Sequence, residues 1–294
     1  MNITILGGTG FVGLSIINCL AKTNNNITVI TRNRERNKKI LVYPRVRLIE
    51  ADVNNAEELI NHTKKTDVLI NLIGILNEKG HSGRGFRRSH SDLARHILSA
   101  CKANNIKRIL HMSALNADSK GPSHYLRTKG EAESYLMTYG KRIANITVFR
   151  PSVIFGKKDS FILRFSNLLN YTPFLFPLAC HNTKFSPVHI DELSNFIVNS
   201  IKDTKSFGEV YNLCGPKVYS LKEIVELIIV TKNRNIKVIP LSNSMSKLQA
   251  TIMEFVPGKP FSIDNYNSCQ VDSTCHSDHS FYSDLETIIP TYID

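Results

Sequence analysis

The stretch Ile3-Thr4-Ile5-Leu6-Gly7-Gly8-Thr9-Gly10-Phe11-Val12-Gly13 decides how this chain is read. Four β-favouring residues run into a glycine-rich turn. Leu14, Ile16, Ile17 and Leu20 then recur at helical spacing. A strand that turns abruptly into a helix presents unpaired backbone N–H groups and the positive end of the helix dipole to an anion. Glycines permit the tight turn and the close approach of a diphosphate. Gly-x-Gly-x-x-Gly alone is a weak motif, but here it has the strand before it and the helix after it that the motif requires. The backbone of Gly7, Thr9, Gly10, Phe11, Val12 and Gly13 is therefore expected to face a dinucleotide.

Working outward, strand and helix patterns alternate. Ile27 to Ile30 and Val46 to Ile49 read as strands, Ala56 to Ile60 as a helix, and Val68 to Ile73 as a strand apolar on both faces. Ser91 to Ala103 reads as a helix, Ile106 to Met112 as a strand, His124 to Tyr139 as a helix and Ile146 to Phe149 as a strand. This alternation predicts an α/β fold with a doubly wound parallel sheet. After Pro151 the rhythm changes. A helix is expected over Phe161 to Leu169 and a proline-broken apolar loop over Tyr171 to Pro187. Helices at Asp191 to Ile201 and Leu221 to Val230 and strands at Val210 to Leu213 and Ile236 to Ile239 follow. Beyond Leu241 the periodicity is weak. The expected division is a Rossmann core over 1–156, rejoined by 186–215, with a smaller interleaved lobe from 157–185 and 216–294.

Composition narrows the function classes. With 294 residues and 42% hydrophobic content, the chain can bury a large core. No signal or transit peptide is legible ahead of the strand beginning at Asn2. No uncharged apolar run reaches the roughly 18 residues of a membrane span. Six scattered cysteines show no disulfide rhythm, which points to a reducing interior. Cys269, Cys275, His276 and His279 are metal-ligand types, but their spacing fits no zinc pattern, and no metal is expected. The net charge is +12, concentrated in Arg32 to Lys39 and Lys79 to Arg88. Without interleaved aromatics these bursts read as solvated surface, so no nucleic-acid partner is expected.

The cofactor class follows from the end of the second strand. An acid about 20 residues past the glycines would select NAD. Thr31-Arg32-Asn33-Arg34 stands there instead, and guanidiniums suit a 2′-phosphate, which favours NADP(H) over NAD(H). Asp52, closing the third strand in Ala51-Asp52-Val53, either faces the adenine or begins a turn. Tyr125 and Lys129 lie one helical turn apart on one face. A nearby ammonium favours the phenolate, so Tyr125 could move a hydroxyl proton, with Ser113 polarising the same oxygen. The same spacing also occurs by chance on many helices.

Together the glycine turn, Asp52, Asn71-Leu72-Ile73-Gly74 and Tyr125-x-x-x-Lys129 resemble the extended short-chain dehydrogenase/reductase, or epimerase/dehydratase, superfamily. His111-Met112-Ser113-Ala114-Leu115, Phe149-Arg150-Pro151-Ser152-Val153-Ile154-Phe155-Gly156 and Pro187-Val188-His189-Ile190-Asp191 resemble its branch containing the nucleotide-binding accessory subunit of respiratory complex I and bacterial relatives. The resemblance implies that Gly7, Gly10 and Gly13 cradle the diphosphate and that Arg32 meets the 2′-phosphate. It implies Gly74 close to the cofactor, Lys129 on the nicotinamide ribose, Tyr125 as acid/base, and Pro151, Ser152 and Val153 beside the nicotinamide. Two departures matter: Ser89-His90-Ser91-Asp92 lacks the asparagine that supports a relay water in many members, and Val153 replaces an asparagine usual in sugar-nucleotide epimerases.

Two functions remain in competition, with a third behind them. One is a nucleotide-holding accessory protein docked on a membrane respiratory assembly, located in the cytoplasm or at the inner face of an energy-coupling membrane. Phe161 to Leu178 would then be either its apolar contact surface or core lining. The other is an active NADP-dependent reductase, epimerase or dehydratase. A redox-sensing regulator that changes partners with nucleotide occupancy is the third.

Overall fold

The computed structural model describes residues 1–275 and 281–293. Its first half alternates β1 (Asn2–Leu6), α1 (Phe11–Ala21), β2 (Asn26–Thr31), β3 (Val46–Glu50), α2 (Ala56–His62) and β4 (Val68–Asn71). Then come α3 (Arg84–Arg87), α4 (Leu93–Asn104), β5 (Arg108–Met112), α5 (His124–Tyr139) and β6 (Asn145–Pro151). Short strands β7 (Ile154–Phe155), β8 (Leu175–Leu178), β9 (Lys184–Phe185) and β10 (Val188–His189) surround α6 (Ile162–Asn170). The rest holds α7 (Ile190–Asn199), β11 (Val210–Leu213), β12 (Tyr219–Ser220), α8 (Leu221–Thr231), β13 (Lys237–Pro240), α9 (Asn243–Met253), α10 (Ile263–Ser268) and α11 (Leu285–Ile288).

The main sheet has the order β11-β6-β5-β4-β1-β2-β3, and β3 through β6 pair in parallel. This is the doubly wound sheet that the alternation predicts. Strand order reverses at β1 and β4, so the loops following these two strands open at the switch point where such sheets take their ligands. β1 is buried on both faces. Leu6 joins Ile30, Leu69, Leu93 and Ile97 in one core cluster, while Ile3 and Ile5 are buried as well. Each such side chain contributes about 1.5–3 kcal/mol on leaving water, which fixes the register that sets the loop ends.

Two compact units result: Met1–Arg150 with Leu193–Tyr211, and Pro151–Glu192 with Asn212 onward. In the first, Arg108 ties the returning segment to the sheet through Ser200 O (2.6 Å) and Ser206 Oγ (2.7 Å). In the second, Phe155, Ile162, Ile224, Ile228, Leu285 and Ile289 form a separate core. Pro151, Ser152 and Val153 fall in this second unit, and Ser152 is hydrogen-bonded within it.

Several expectations change. The expected loop over Tyr171 to Pro187 contains β8 and β9, and β8 pairs in parallel with β13. Pro177 is accommodated because a two-stranded sheet is all edge. Phe161 to Leu178 divides between the two readings: Phe161, Phe165 and Leu169 pack into the core, whereas Tyr171, Phe174 and Leu175 are exposed. The helix expected from Ser91 is preceded by α3 and a π-helical segment, Arg88–Asp92. Beyond Leu241, where periodicity is weak, the described residues include α9, α10 and α11, α9 being capped by Ser242 and α10 started by a Ser262/Asn265 capping box.

The cysteine expectation is also corrected. Cys214 and Cys275 form a disulfide, their Cα atoms 5.9 Å apart across a sequence separation of 61. A pair so distant leaves no local spacing signature. His276 and His279 lie outside the described residues, and among the described residues no metal-ligating cluster of three or more occurs. No helix among them is long and apolar enough to cross a membrane.

Candidate functional site

At the end of β1, Gly7 adopts φ +79, and a Cβ there would stand 3.1 Å from Ile73 N and from Leu72 C. Both the left-handed backbone and the contact with the chain after β4 require glycine. A Cβ on Gly13 would lie 2.5 Å from Gly8 Cα and 2.6 Å from Gly7 O, so α1 can abut the turn only without one. Gly10 is the N-cap of α1 and supplies no side-chain acceptor, and the first turn carries no acid. The N–H groups of Phe11, Val12 and Gly13 therefore sit at a helix terminus with no capping oxygen. Thr9 is half-buried and Gly10 exposed. The turn thus offers backbone donors and the positive end of a helix, a donor set that suits an anion.

Past β2, Arg32 and Arg34 are exposed, and the Arg34 N–H donates to Glu50 Oε2 at 2.7 Å. Asn37 Nδ2 donates to Asn33 O (2.7 Å) and Thr31 Oγ1 (3.2 Å), which shapes the turn carrying the two arginines. Asp52 is already engaged. It accepts from Asn54 N (3.0 Å) and Nδ2 (2.9 Å) and pairs with Arg88 at 2.9 Å. Desolvation raises the Asp52 carboxyl, but these donors outweigh it and hold it below its ordinary range. Val53 is buried in the core cluster with Leu59 and Leu93.

The buried centre is Lys129, only 3% exposed. Its Nζ donates to Ile73 O (3.1 Å) and Met112 O (2.9 Å), and a Cβ on Gly74 would meet it at 3.1 Å. Desolvation pulls Lys129 down to about 8. Tyr125, one turn earlier on α5, lies edge-on to the rings of His90 (5.7 Å) and Phe86 (6.3 Å). Burial pushes its phenol up to about 12. The expectation that Lys129 brings this phenol down is corrected: the ammonium donates to two carbonyls, and desolvation dominates at Tyr125. Ser113 N donates to Phe149 O at 2.7 Å, while its Oγ is buried with no hydrogen-bond partner among the described residues.

Two histidines that sequence reading left without a role complete the site. His90, in the π-helical segment, accepts the Ile75 N–H at Nε2 (3.2 Å). That assignment places its proton on Nδ1, which donates to Thr128 Oγ1 at 2.8 Å. Desolvation, then Lys129 and His111, take His90 down to about 2. His111 receives Asn71 Nδ2 at 3.0 Å on Nδ1, and desolvation with Lys129 takes it to about 3. Its Nε2 is buried and has no partner among the described residues. Both imidazoles are neutral at pH 7, so Lys129 is flanked by uncharged donors and acceptors. The signal for His90 was present in Phe86, His90 and Leu93, spaced as one helix face.

Residues 7–160 match the family model described as NAD(P)H-binding. The chain belongs to this NAD(P)H-binding family. A Dictyostelium discoideum protein named NADH dehydrogenase (ubiquinone) 1 alpha subcomplex subunit 9, mitochondrial, is 29% identical over 83% of this chain and 68% of its own length. Its Arabidopsis thaliana namesake is 26% identical over 97% and 73%. The 40 kDa subunit of Neurospora crassa NADH-ubiquinone oxidoreductase is 26% identical over 80% and 62%. Among solved structures, a nucleoside-diphosphate-sugar epimerase from Staphylococcus aureus superposes with TM-score 0.72 at 20% identity, covering 92% of this chain and 89% of that one. UDP-glucuronic acid 4-epimerase from Bacillus cereus, bound to UDP-glucuronic acid and NAD, gives 0.71 at 19% identity, covering 94% and 95%. These likenesses show the fold, a Rossmann-like α/β architecture shared with the two epimerases.

Proposed function

We propose that this chain is a nucleotide-holding accessory protein of a membrane-associated respiratory complex, and that the nucleotide is NADP(H). In this reading Gly7, Thr9, Gly10, Phe11, Val12 and Gly13 hold the diphosphate and Arg32, beside Arg34, takes the 2′-phosphate. Asp52 and Val53 border the adenine, Gly74 passes close to the cofactor beside Lys129, Lys129 holds the nicotinamide ribose, and Pro151, Ser152 and Val153 keep the nicotinamide-side role the resemblance gives them. Bound, the dinucleotide supplies a hydride donor or acceptor.

One observation carries holding over turnover. Two of the three Lys129 N–H donors go to the carbonyls of Ile73 and Met112, which leaves one for a ribose hydroxyl, and burial pushes Tyr125 up to about 12. A general acid or base works best near the operating pH, and this phenol lies far above it. The names of the relatives support the respiratory assignment. So does an exposed apolar stripe on α9, where Met245, Leu248 and Ile252 continue into Phe255 just beyond the helix, Phe255 being 78% exposed. The protein accordingly lies peripherally on the inner face of an energy-coupling membrane.

Mass spectrometry of nucleotide released from gently purified protein is expected to find NADPH or NADP+ near one per chain, with no hydride exchange across a panel of carbonyl compounds. NAD(H) alone would overturn the cofactor assignment. Steady turnover abolished by Tyr125→Phe would establish the second reading, an NADP-dependent reductase, epimerase or dehydratase. That reading draws on Ser113 Oγ and His111 Nε2, two buried polar atoms without partners among the described residues at the end of β5.

A further inference from the structure

Residues Cys269 to Cys275 form a strap within the second unit. At its centre, Ser273 N donates to Lys184 O (2.7 Å), and Ser273 O accepts from Ser186 N (3.0 Å) and Ser152 Oγ (2.6 Å). Asp272 Oδ1 accepts the Lys184 N–H at 2.8 Å. Its downstream end is bonded covalently, Cys275 to Cys214. At its upstream end Cys269 also meets a cysteine: its side chain interacts with that of Cys180. Thr183 holds the two together, its Oγ1 donating to Cys269 O (2.7 Å) and its N–H to Cys180 O (3.1 Å). Both sulfurs belong to partly exposed residues that carry no disulfide.

We propose that Cys180 and Cys269 are a reversible dithiol–disulfide pair that fastens the upstream end of this strap. Contact between the two thiols holds Cys180 below the ordinary thiol range and, together with burial, raises Cys269. Cys180 is thus the attacking thiolate and Cys269 the resolving thiol. With a hydroperoxide as oxidant, the Cys180 thiolate attacks the outer peroxide oxygen, the O–O bond breaks, and a sulfenic acid and hydroxide (or alkoxide) form. Cys269 sulfur then attacks the sulfenic sulfur and expels hydroxide. The Cys269 proton and one from solvent neutralise the two anions, so two thiols and one hydrogen peroxide give one disulfide and two waters. Cys101, fully buried and pushed up to about 12, is no competitor.

The test uses the full chain with Cys214–Cys275 intact. After hydrogen peroxide and alkylation of remaining thiols, non-reducing peptide mapping is expected to find Cys180 linked to Cys269, a link removed by dithiothreitol, with Cys19 and Cys101 alkylated. Alkylated Cys180, or Cys180 carried to sulfinic acid beside a free Cys269, would overturn the pair. In Cys269→Ser, dimedone is expected to trap a sulfenic acid on Cys180, and its absence contradicts the assigned roles. Oxidation is also expected to slow amide exchange at Ser186 and Ser273 several-fold; unchanged exchange would refute the fastening. None of these readouts requires bound nucleotide, so they succeed or fail independently of the proposed function.

Discussion

The turn after β1 and the strap at Ser273 use the peptide backbone in opposite ways. Around Gly10 the helix-end amides have no side-chain cap, whereas at Ser273 both the N–H and the C=O are taken by neighbouring segments. The first arrangement leaves donors for a ligand. The second stabilises the chain itself. Their difference separates a binding element, which keeps its polar groups in reserve, from a structural one that satisfies them all.

Four experiments bear on that contrast. The largest effect is expected from Cys214→Ser. Opening a loop of this length costs about 4 kcal/mol in the chain-entropy model, seen as a lower denaturation midpoint, while nucleotide stays bound. Loss of nucleotide in that variant would show that the strap is not purely structural.

The second concerns pH. Lys129 falls from 10.5 to about 8 on folding, so between those values the unfolded chain binds the extra proton. Stability should therefore rise with pH across that window, by up to about 3 kcal/mol from this group. Lys129→Met should flatten the slope in urea titrations at pH 8 and pH 10. Equal slopes in the two proteins would mean that the ammonium is better solvated than its burial implies.

Third, Gly13→Ala sets a Cβ against backbone at 2.5 Å and should cost about 2 kcal/mol together with the bound nucleotide. Retained nucleotide would remove the turn from the binding site. The smallest effect belongs to Ser152→Ala, which deletes the hydrogen bond to Ser273 O. About 1 kcal/mol is expected, read as faster amide exchange at Ser273.

Legibility in the sequence follows the same division. The glycine turn, β1 and α5 were readable because their determinants are local: turn glycines, period-2 or period-3.6 apolar residues, and a Ser123 cap that accepts Leu126 N. Tyr125 and Lys129 are legible as a pair for the same reason, one turn apart on α5. What escaped was made by tertiary contact. Asp52 meets Arg88 across 36 positions, His111 meets Asn71 across 40, and Ser152 meets Ser273 across 121. No window of sequence contains such pairs. The stripe on α9 is hidden differently: Met245, Leu248 and Ile252 have helical spacing, but Asn243, Ser244, Ser246, Lys247, Gln249 and Thr251 dilute it.

A helix whose cap arrives from solution makes endurance depend on supply. Because α1 begins after Gly10 with no side-chain cap, a dinucleotide held there as proposed would complete that terminus, and mass action would set how much it adds: about 2.7 kcal/mol when free coenzyme stands at a hundred times its dissociation constant. Melting temperature would then track the coenzyme pool, and a starved compartment would lose this protein to proteolysis before losing sturdier neighbours.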